Sequence, residues 1–230
     1  MAKKKEEHKH ELLENSEALK ERLVIAESWM EQNPKTVIGA ALVILLVVGG
    51  YFGFTYYKNN QNVQAQKDMF QAVYYFEADS LNLALNGDGN NLGFLAIIED
   101  YGITDAGNLA SFYAGASYLK QGKYELARLY LEDFSSNDLL VQARAYSLVG
   151  DAYMEEQKFE DAAKFYNKAA NYKPNKFFSP TYLMKEALAY EKLNQNDKAK
   201  EAYDKVISQY WESPEYNNAR KFKARLESNS

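Results

Sequence analysis

Residues able to do chemistry are scarce in this chain, and their spacing gives them little to work with. The two histidines, His8 and His10, both fall within the first ten residues, so the rest of the chain has no imidazole base, metal ligand or proton switch. Cysteine is absent, which excludes disulfides, thiolate metal sites and thiol catalysis. The run Asn86-Gly87-Asp88-Gly89-Asn90-Asn91 is rich in oxygen donors but lacks the downstream bidentate Glu that a calcium loop needs, and it reads as a plain turn. His8-Lys9-His10 reads as a solvated tip. With no glycine-rich phosphate loop and no metal constellation, the expectation is a protein without catalysis, cofactor or small-molecule substrate. Lys and Arg total 27 against 32 Asp and Glu, a net charge of −5, so the basic surplus that drives nucleic-acid binding is missing as well.

What remains is architecture. A length of 230 residues allows one or two domains, and 19 Tyr and 12 Phe beside only 4 Pro favour helices over hairpins. The 22 residues Thr36 to Tyr57 carry no charge. As a helix they reach about 33 Å at ~1.5 Å per residue, enough for a hydrocarbon core of about 30 Å. Tyr51, Tyr56 and Tyr57 gather at one end, at headgroup level, and Lys35 and Lys58 flank the span. An apolar stretch of this length, preceded by 35 residues, is too long and too far in for a cleavable signal peptide and reads as a single-pass signal anchor. Three basic residues precede the span closely, against Lys58 and Lys67 after it, a slight bias toward an N-terminus inside and a domain outside.

Ahead of the span, Leu12, Ser16, Leu19, Leu23, Ala26 and Met30 follow a 4-3-4-3-4 rhythm that predicts an amphipathic helix, ended by Asn33-Pro34. Its use stays open between a partner-docking helix and a solvated one; its many acidic residues disfavour adhesion to anionic lipid.

Beyond Asn62 the chain reads as helical and repetitive, with one amphipathic helix around Phe70, Val73 and Phe76 leading in. Gly115 aligns with Gly150 at a period of 35, carrying Tyr118 onto Tyr153, Tyr124 onto Phe159 and Ala127 onto Ala162. A further step of 37 carries Ala162 onto Ala199 and Tyr166 onto Tyr203. The pattern predicts three helix pairs: 108–121 with 123–135, 141–156 with 159–172, and 180–194 with 196–209. Small residues Gly115, Gly150 and Ala187 mark close helix approaches; Ala127, Ala162 and Ala199 mark hairpin crossings; Tyr118, Tyr153 and Tyr190 are expected to fill the space between units. Ala162→Leu should therefore overpack a crossing, whereas Lys168→Ala should change little. Gly122 supplies a left-handed turn residue, which Gln157 and Asn194-Gln195-Asn196 must match at greater cost. Ser213-Pro214-Glu215 is read as the cap opening a last helix, to about Leu226, whose Arg220, Lys221, Lys223 and Arg225 close the stack against water.

These units resemble the tetratricopeptide repeat, W-x2-L-G-x2-Y…A-x3-F…A…P. The second matches at Tyr146, Val149, Gly150, Tyr153, Ala162, Tyr166, Ala169 and Pro174. The first has Ser111 for the aromatic residue and Leu139 for the proline, and the third has Glu186-Ala187 for Leu-Gly. The expected fold is all-α: one N-terminal transmembrane helix, then an α-solenoid of helix hairpins. Its parts are a tail at 1–35, the anchor at 36–57, a linker with leading helices at 58–107, and the repeats with a capping helix at 108–230.

Repeat geometry places the first helices on a concave face that binds protein chains. The residues expected there are Leu109, Phe112, Ala116 and Leu119 in the first unit. The second unit contributes Arg144, Ser147, Asp151 and Met154, and the third Thr181, Met184, Leu188 and Glu191. This mixture suits an extended, apolar-rich ligand better than a clamp for a terminal carboxylate.

The order of tail, anchor and repeats, with Gly93-Phe94-Leu95-Ala96-Ile97-Ile98-Glu99-Asp100-Tyr101 leading into them, resembles the YfgM family, ancillary subunits of the SecYEG translocon. That resemblance implies an adaptor in the bacterial inner membrane, N-terminus cytoplasmic and repeats periplasmic. It would join the translocon to a PpiD-like periplasmic chaperone and assist unfolded exported chains. The alternative is a scaffold for another envelope assembly, such as outer-membrane or cell-wall machinery.

Overall fold

The computed structural model describes residues 16–228, every element of which is a helix or a turn. His8, His10 and Leu12 lie outside the described residues. The chain divides after Tyr57 into two compact units.

In the first unit, α1 (Ser16–Gln32) ends where expected, with Asn33 between it and α2 (Pro34–Glu77). The Asn33 amide closes α1 on the Trp29 carbonyl at 3.0 Å, and its own carbonyl accepts from Thr36 and Val37 to open α2 behind Pro34. Leu19, Leu23 and Met30 are exposed on α1, and so is nearly every apolar side chain from Ile38 to Tyr57 on α2. By length and composition α2 can cross a membrane.

The second unit starts within α2. The expectation of a separate helix after Asn62 is corrected here: Lys58-Asn59-Asn60-Gln61-Asn62 is polar but holds no Gly or Pro, so the helix runs straight through to Glu77. It stops at Asp79, a non-glycine residue at φ 57°, beyond which the Ser80 amide reaches back to the Tyr75 carbonyl at 2.8 Å. Two short helices follow, α3 (Leu81–Asn86) and α4 (Phe94–Tyr101), joined by the Asn86–Asn91 turn. Within that turn Asp88 accepts from the Asn90 and Asn91 amides, from Asn91 Nδ2 and from the Tyr75 hydroxyl at 2.7 Å, which holds its carboxyl far below the usual range. The carboxylate is fully engaged in fastening the turn to α2. Another phenol, Tyr101, donates to Asp68 of α2 at 2.7 Å, and this bond, with some burial, pushes its pKa up to about 12.

Three hairpins come next: α5 (Asp105–Lys120) with α6 (Tyr124–Asp133), α7 (Val141–Glu155) with α8 (Phe159–Asn171), and α9 (Ser179–Lys192) with α10 (Asn196–Gln209). The same turn closes each one. Gly122, Gln157 and Asn194 take φ of 74°, 60° and 57°, and the amide following each bonds the carbonyl of Tyr118, Tyr153 or Tyr190 at 2.9 to 3.0 Å. The backbone carbonyl of the recurrent tyrosine is thus the fixed acceptor of a three-fold repeated helix stop. The Tyr190 ring packs with Ala162, Ala163 and Tyr166 of the preceding hairpin, as expected, while the other two rings also find partners within their own hairpins. Tyr118 stacks on Tyr130 and Tyr153 leans on Phe165, each inside its own hairpin, and the bridge between the first two hairpins is the Arg128 guanidinium, 4.5 Å from the Tyr153 ring.

Caps open these helices. The Thr104 hydroxyl accepts from the Gly107 amide to start α5, a few residues earlier than expected. Asp138 Oδ1 takes the Leu140 and Val141 amides ahead of α7, and Asn175 Oδ1 takes those of Phe177 and Phe178 ahead of α9.

Helix α11 (Tyr216–Ser228) closes the row, but not as expected. Ser213 does not cap it: its amide closes a turn on Tyr210, its hydroxyl is buried without a partner among the described residues, and Glu215 reaches sideways to the Thr181 hydroxyl at 2.7 Å. The basic side of α11 is not simply solvated either. Lys223 bonds Asp204 at 2.7 Å and Arg225 bonds Glu191 at 2.5 Å, tying the cap to the third hairpin.

The core has two main clusters. One joins Met69, Ala72, Leu85, Phe94 and Ile97 to α5, α6 and part of α7; the other joins Ala143, α8, α9, α10 and α11. Its floor is made of small residues where helices cross: Ala127, Ala162, Ala187 and Ala199 are completely buried, and Gly115 and Gly150 lie against Leu131 and Tyr166. Lys168 is exposed as expected, and its ammonium lies 4.8 Å from the Tyr146 ring, so the small change on Lys168→Ala is the loss of a cation–π contact of about 0.5–1 kcal/mol.

Glu186 occupies the motif position of the repeat's leucine and is buried. Asn167 donates to its Oε1 at 3.0 Å while Oε2 has no partner among the described residues. Burial raises its pKa, opposed by Asn167 of α8 and Lys205 of α10 and reinforced by Glu201 of α10. A carboxyl whose folded pKa exceeds its unfolded value binds more protons folded, so its contribution to stability falls as pH rises from the ordinary carboxylate range through the raised one. Glu186→Leu should therefore stabilise by about 1–3 kcal/mol at pH 8 and by less at pH 4.5. Urea midpoints at the two pH values check this, and equal gains at both would refute the buried carboxylate as the cause.

Candidate functional site

The 3-4-3 spacing of Leu109, Phe112, Ala116 and Leu119 puts them on one face of α5, opposite Val141, Arg144 and Leu148 of α7. Phe76 of α2 and Leu140 close the sides, leaving a groove of about 600 Å³. Aromatic rings fix its floor: Phe94 stacks on Tyr113 at 5.2 Å, Phe76 meets Tyr113 edge-on at 5.3 Å, and Phe112 leans on Phe134 at 5.4 Å. No carboxylate lines the groove, and its two cations are Lys120 and Arg144. Lys120 is already paired with Asp79 at 2.5 Å and lies over the Phe76 ring. Arg144 is exposed and has no carboxylate within ion-pair distance among the described residues.

Past Arg144 and Leu148 a smaller pocket of about 210 Å³ opens between α7 and α9, lined also by Ser147, Asp151, Tyr182 and Lys185. Its charges cancel. Lys185 straddles both Asp151 oxygens at 2.8 and 2.9 Å and reaches the Ser147 hydroxyl, while the Tyr166 hydroxyl donates to Asp151 at 2.7 Å. Burial, with the neighbouring carboxylate, drives the Tyr166 phenol far above its ordinary pKa, so it stays a donor. On the other side, Leu109 and Val141 lead into a polar cavity of about 660 Å³. Its side chains are engaged with the loop after α6: Asn108 exchanges two hydrogen bonds with Ser135, and the Tyr172 hydroxyl bonds the Ser136 carbonyl.

The structure thus brings Leu109, Phe112, Ala116, Leu119 and Arg144 into one groove, with Ser147, Asp151 and Thr181 around the adjoining pocket. It places the others elsewhere. Met154 packs against Ala162, Ala163, Tyr166 and Ala189; Met184 packs against the second core cluster; Leu188 is exposed and lines neither opening. Glu191 is held by the Tyr203 hydroxyl at 2.6 Å and by Arg225. Sequence reasoning missed Phe76, Leu140, Leu148 and Lys185. For Phe76 a signal existed in the 4-3-4 spacing of Ala65, Met69, Ala72 and Phe76; for Leu140, in a loop, none did. No group of three His, Cys, Asp or Glu able to hold a metal occurs among the described residues.

Residues 114–176 and residues 182–213 each match a tetratricopeptide repeat model. These repeats stack into the helical solenoid described above, an architecture that serves in general as a non-catalytic surface for protein–protein interaction. No curated protein matches the chain.

Proposed function

We propose that this chain is a membrane-anchored adaptor of the cell envelope. Residues 1–35 lie in the cytoplasm, 36–57 cross the inner membrane, and 58–107 lead into the repeat domain of 108–230 on the periplasmic side. It acts as an ancillary component of the Sec translocon, linking it to a PpiD-like chaperone and helping newly exported chains. The observation that supports this reading most is the apolar groove without a carboxylate, carried by a chain with a helix able to span a bilayer. An apolar, aromatic-floored groove favours segments that a folded partner would hide and an unfolded one displays.

Mild detergent extraction followed by pull-down of the full chain should recover translocon subunits and the chaperone. Leu140→Asp puts a charge on an exposed lip of the groove without touching the core, and it should cut exported-chain capture at least tenfold. A photo-crosslinker at Leu119, in the groove, identifies what lies against it. Recovery of outer-membrane or cell-wall machinery in place of the translocon would overturn the reading in favour of the scaffold alternative. In spheroplasts, protease added outside should reach the repeat domain; protection of that domain would reverse the orientation.

A further inference from the structure

We infer that the groove selects segments in which an internal Asp or Glu flanks an apolar stretch, read by Arg144. This rests on the proposal above that the groove binds protein chains. Of the charged side chains lining the groove and the adjoining pocket, Lys120 is matched by Asp79, and Asp151 and Lys185 match each other. Arg144 alone has no carboxylate in reach among the described residues, so the lining carries one uncompensated positive charge, at the point where the two openings share Arg144 and Leu148. A ligand that fills the apolar side and leaves Arg144 unpaired desolvates a guanidinium without return. One that places a carboxylate there gains a charge-assisted, bidentate pair.

Position decides between a side-chain acid and a chain end. The opening continues past Arg144 into the pocket walled by Ser147, Thr181 and Tyr182, so a bound chain has room on both sides of the acid. A terminal carboxylate would leave that pocket empty. Lys185 cannot compete for the acid, because both Asp151 oxygens and the Ser147 hydroxyl already hold its ammonium.

Fluorescence anisotropy on the full chain in detergent micelles tests this with three labelled ten-residue peptides. Each carries the same Leu-Leu-Phe triplet, flanked two residues away on both sides by Glu, Gln or Lys. The Glu peptide should bind at least tenfold more tightly than the Gln peptide, and the margin should shrink at high salt. Arg144→Gln should bring the Glu and Gln peptides level. Arg144→Glu should invert the order, favouring the Lys peptide, which a merely structural arginine would not do. Equal binding of the Glu and Gln peptides, with loss of both in Leu140→Asp, would overturn the role of Arg144 and leave the groove as a protein-binding site. Absence of binding by all three would overturn the groove reading itself.

Discussion

Gly150→Leu should abolish cooperative folding of the second hairpin, and even Gly150→Ala should destabilise the domain. The reason is a ring that has nowhere to go. A methyl group built on Gly150 would stand 2.6 Å from Tyr166 Cε1 and 2.7 Å from Cδ1. Tyr166 is 3% exposed, and its hydroxyl is held at 2.7 Å by Asp151, which Lys185 grips in turn. Replacing glycine by alanine inside a helix ordinarily gains about 0.8–1 kcal/mol. Overpacking costs about 1–3 kcal/mol for a small excess and more for a large one, so the steric effect wins at Gly150 even for alanine. Ala162→Leu, at a crossing where alanine is completely buried, should lose about 1–3 kcal/mol by the same mechanism. Urea midpoints measure both. Tyr166→Leu placed beside Gly150→Ala should recover part of the loss, since the substitutions act on one contact. A Gly150→Ala protein more stable than the parent would disprove the close approach.

Arg128→Ala should be the most damaging change of a charged residue. Arg128 leaves α6, crosses the Tyr153 ring and bonds the Glu156 carboxylate just beyond the last turn of α7, with side-chain exposures of 14% and 20%. Glu156 caps the negative end of that helix, where a carboxylate is unwelcome unless a cation answers it. Lys158 also reaches it, at 3.2 Å, but from a half-exposed position that solvent screens. Removing the guanidinium strands a part-buried acid and opens the contact between first and second hairpins. The loss should be about 1–3 kcal/mol, between the values for exposed and fully buried pairs. Adding Glu156→Gln should restore part of it. The Arg128 bond holds the Glu156 carboxyl below its usual range. A depressed folded pKa contributes stability that is present above the unfolded value and lost as pH falls through the folded one. Arg128→Ala should therefore flatten the acid limb of the stability profile, the opposite in sign to the effect of Glu186. An unchanged acid limb would show that Glu156 does not depend on Arg128.

Local signals carried the fold far. The bounds 159–172 and 196–209 hold to within a residue because polar turns flank strongly amphipathic stretches. Gln157 and Asn194 adopt the left-handed geometry their alignment with Gly122 requires. What failed was reading a polar run as a boundary and a cap motif as a cap. Lys58–Asn62 continues a helix because nothing there breaks one, and Ser213 is drawn into a turn with Tyr210. The groove was legible only where one helix face defines it. Spacing tells which side of α5 bears Leu109, Phe112 and Leu119, but not which neighbour covers a residue. Met154 and Glu191 sit at the right register and are claimed by α8 and α11 instead.

Helix α7 belongs to both halves of the interior: Ala145 and Val149 close one, Ala143 the other. Arg144 therefore stands on the divide, with Tyr113 on the near side and Tyr182 on the far side. Whatever settles there touches two blocks that could otherwise loosen one at a time. By mass action such an occupant raises the apparent stability of both together, and a loaded adaptor melts as one body where an empty one loosens block by block.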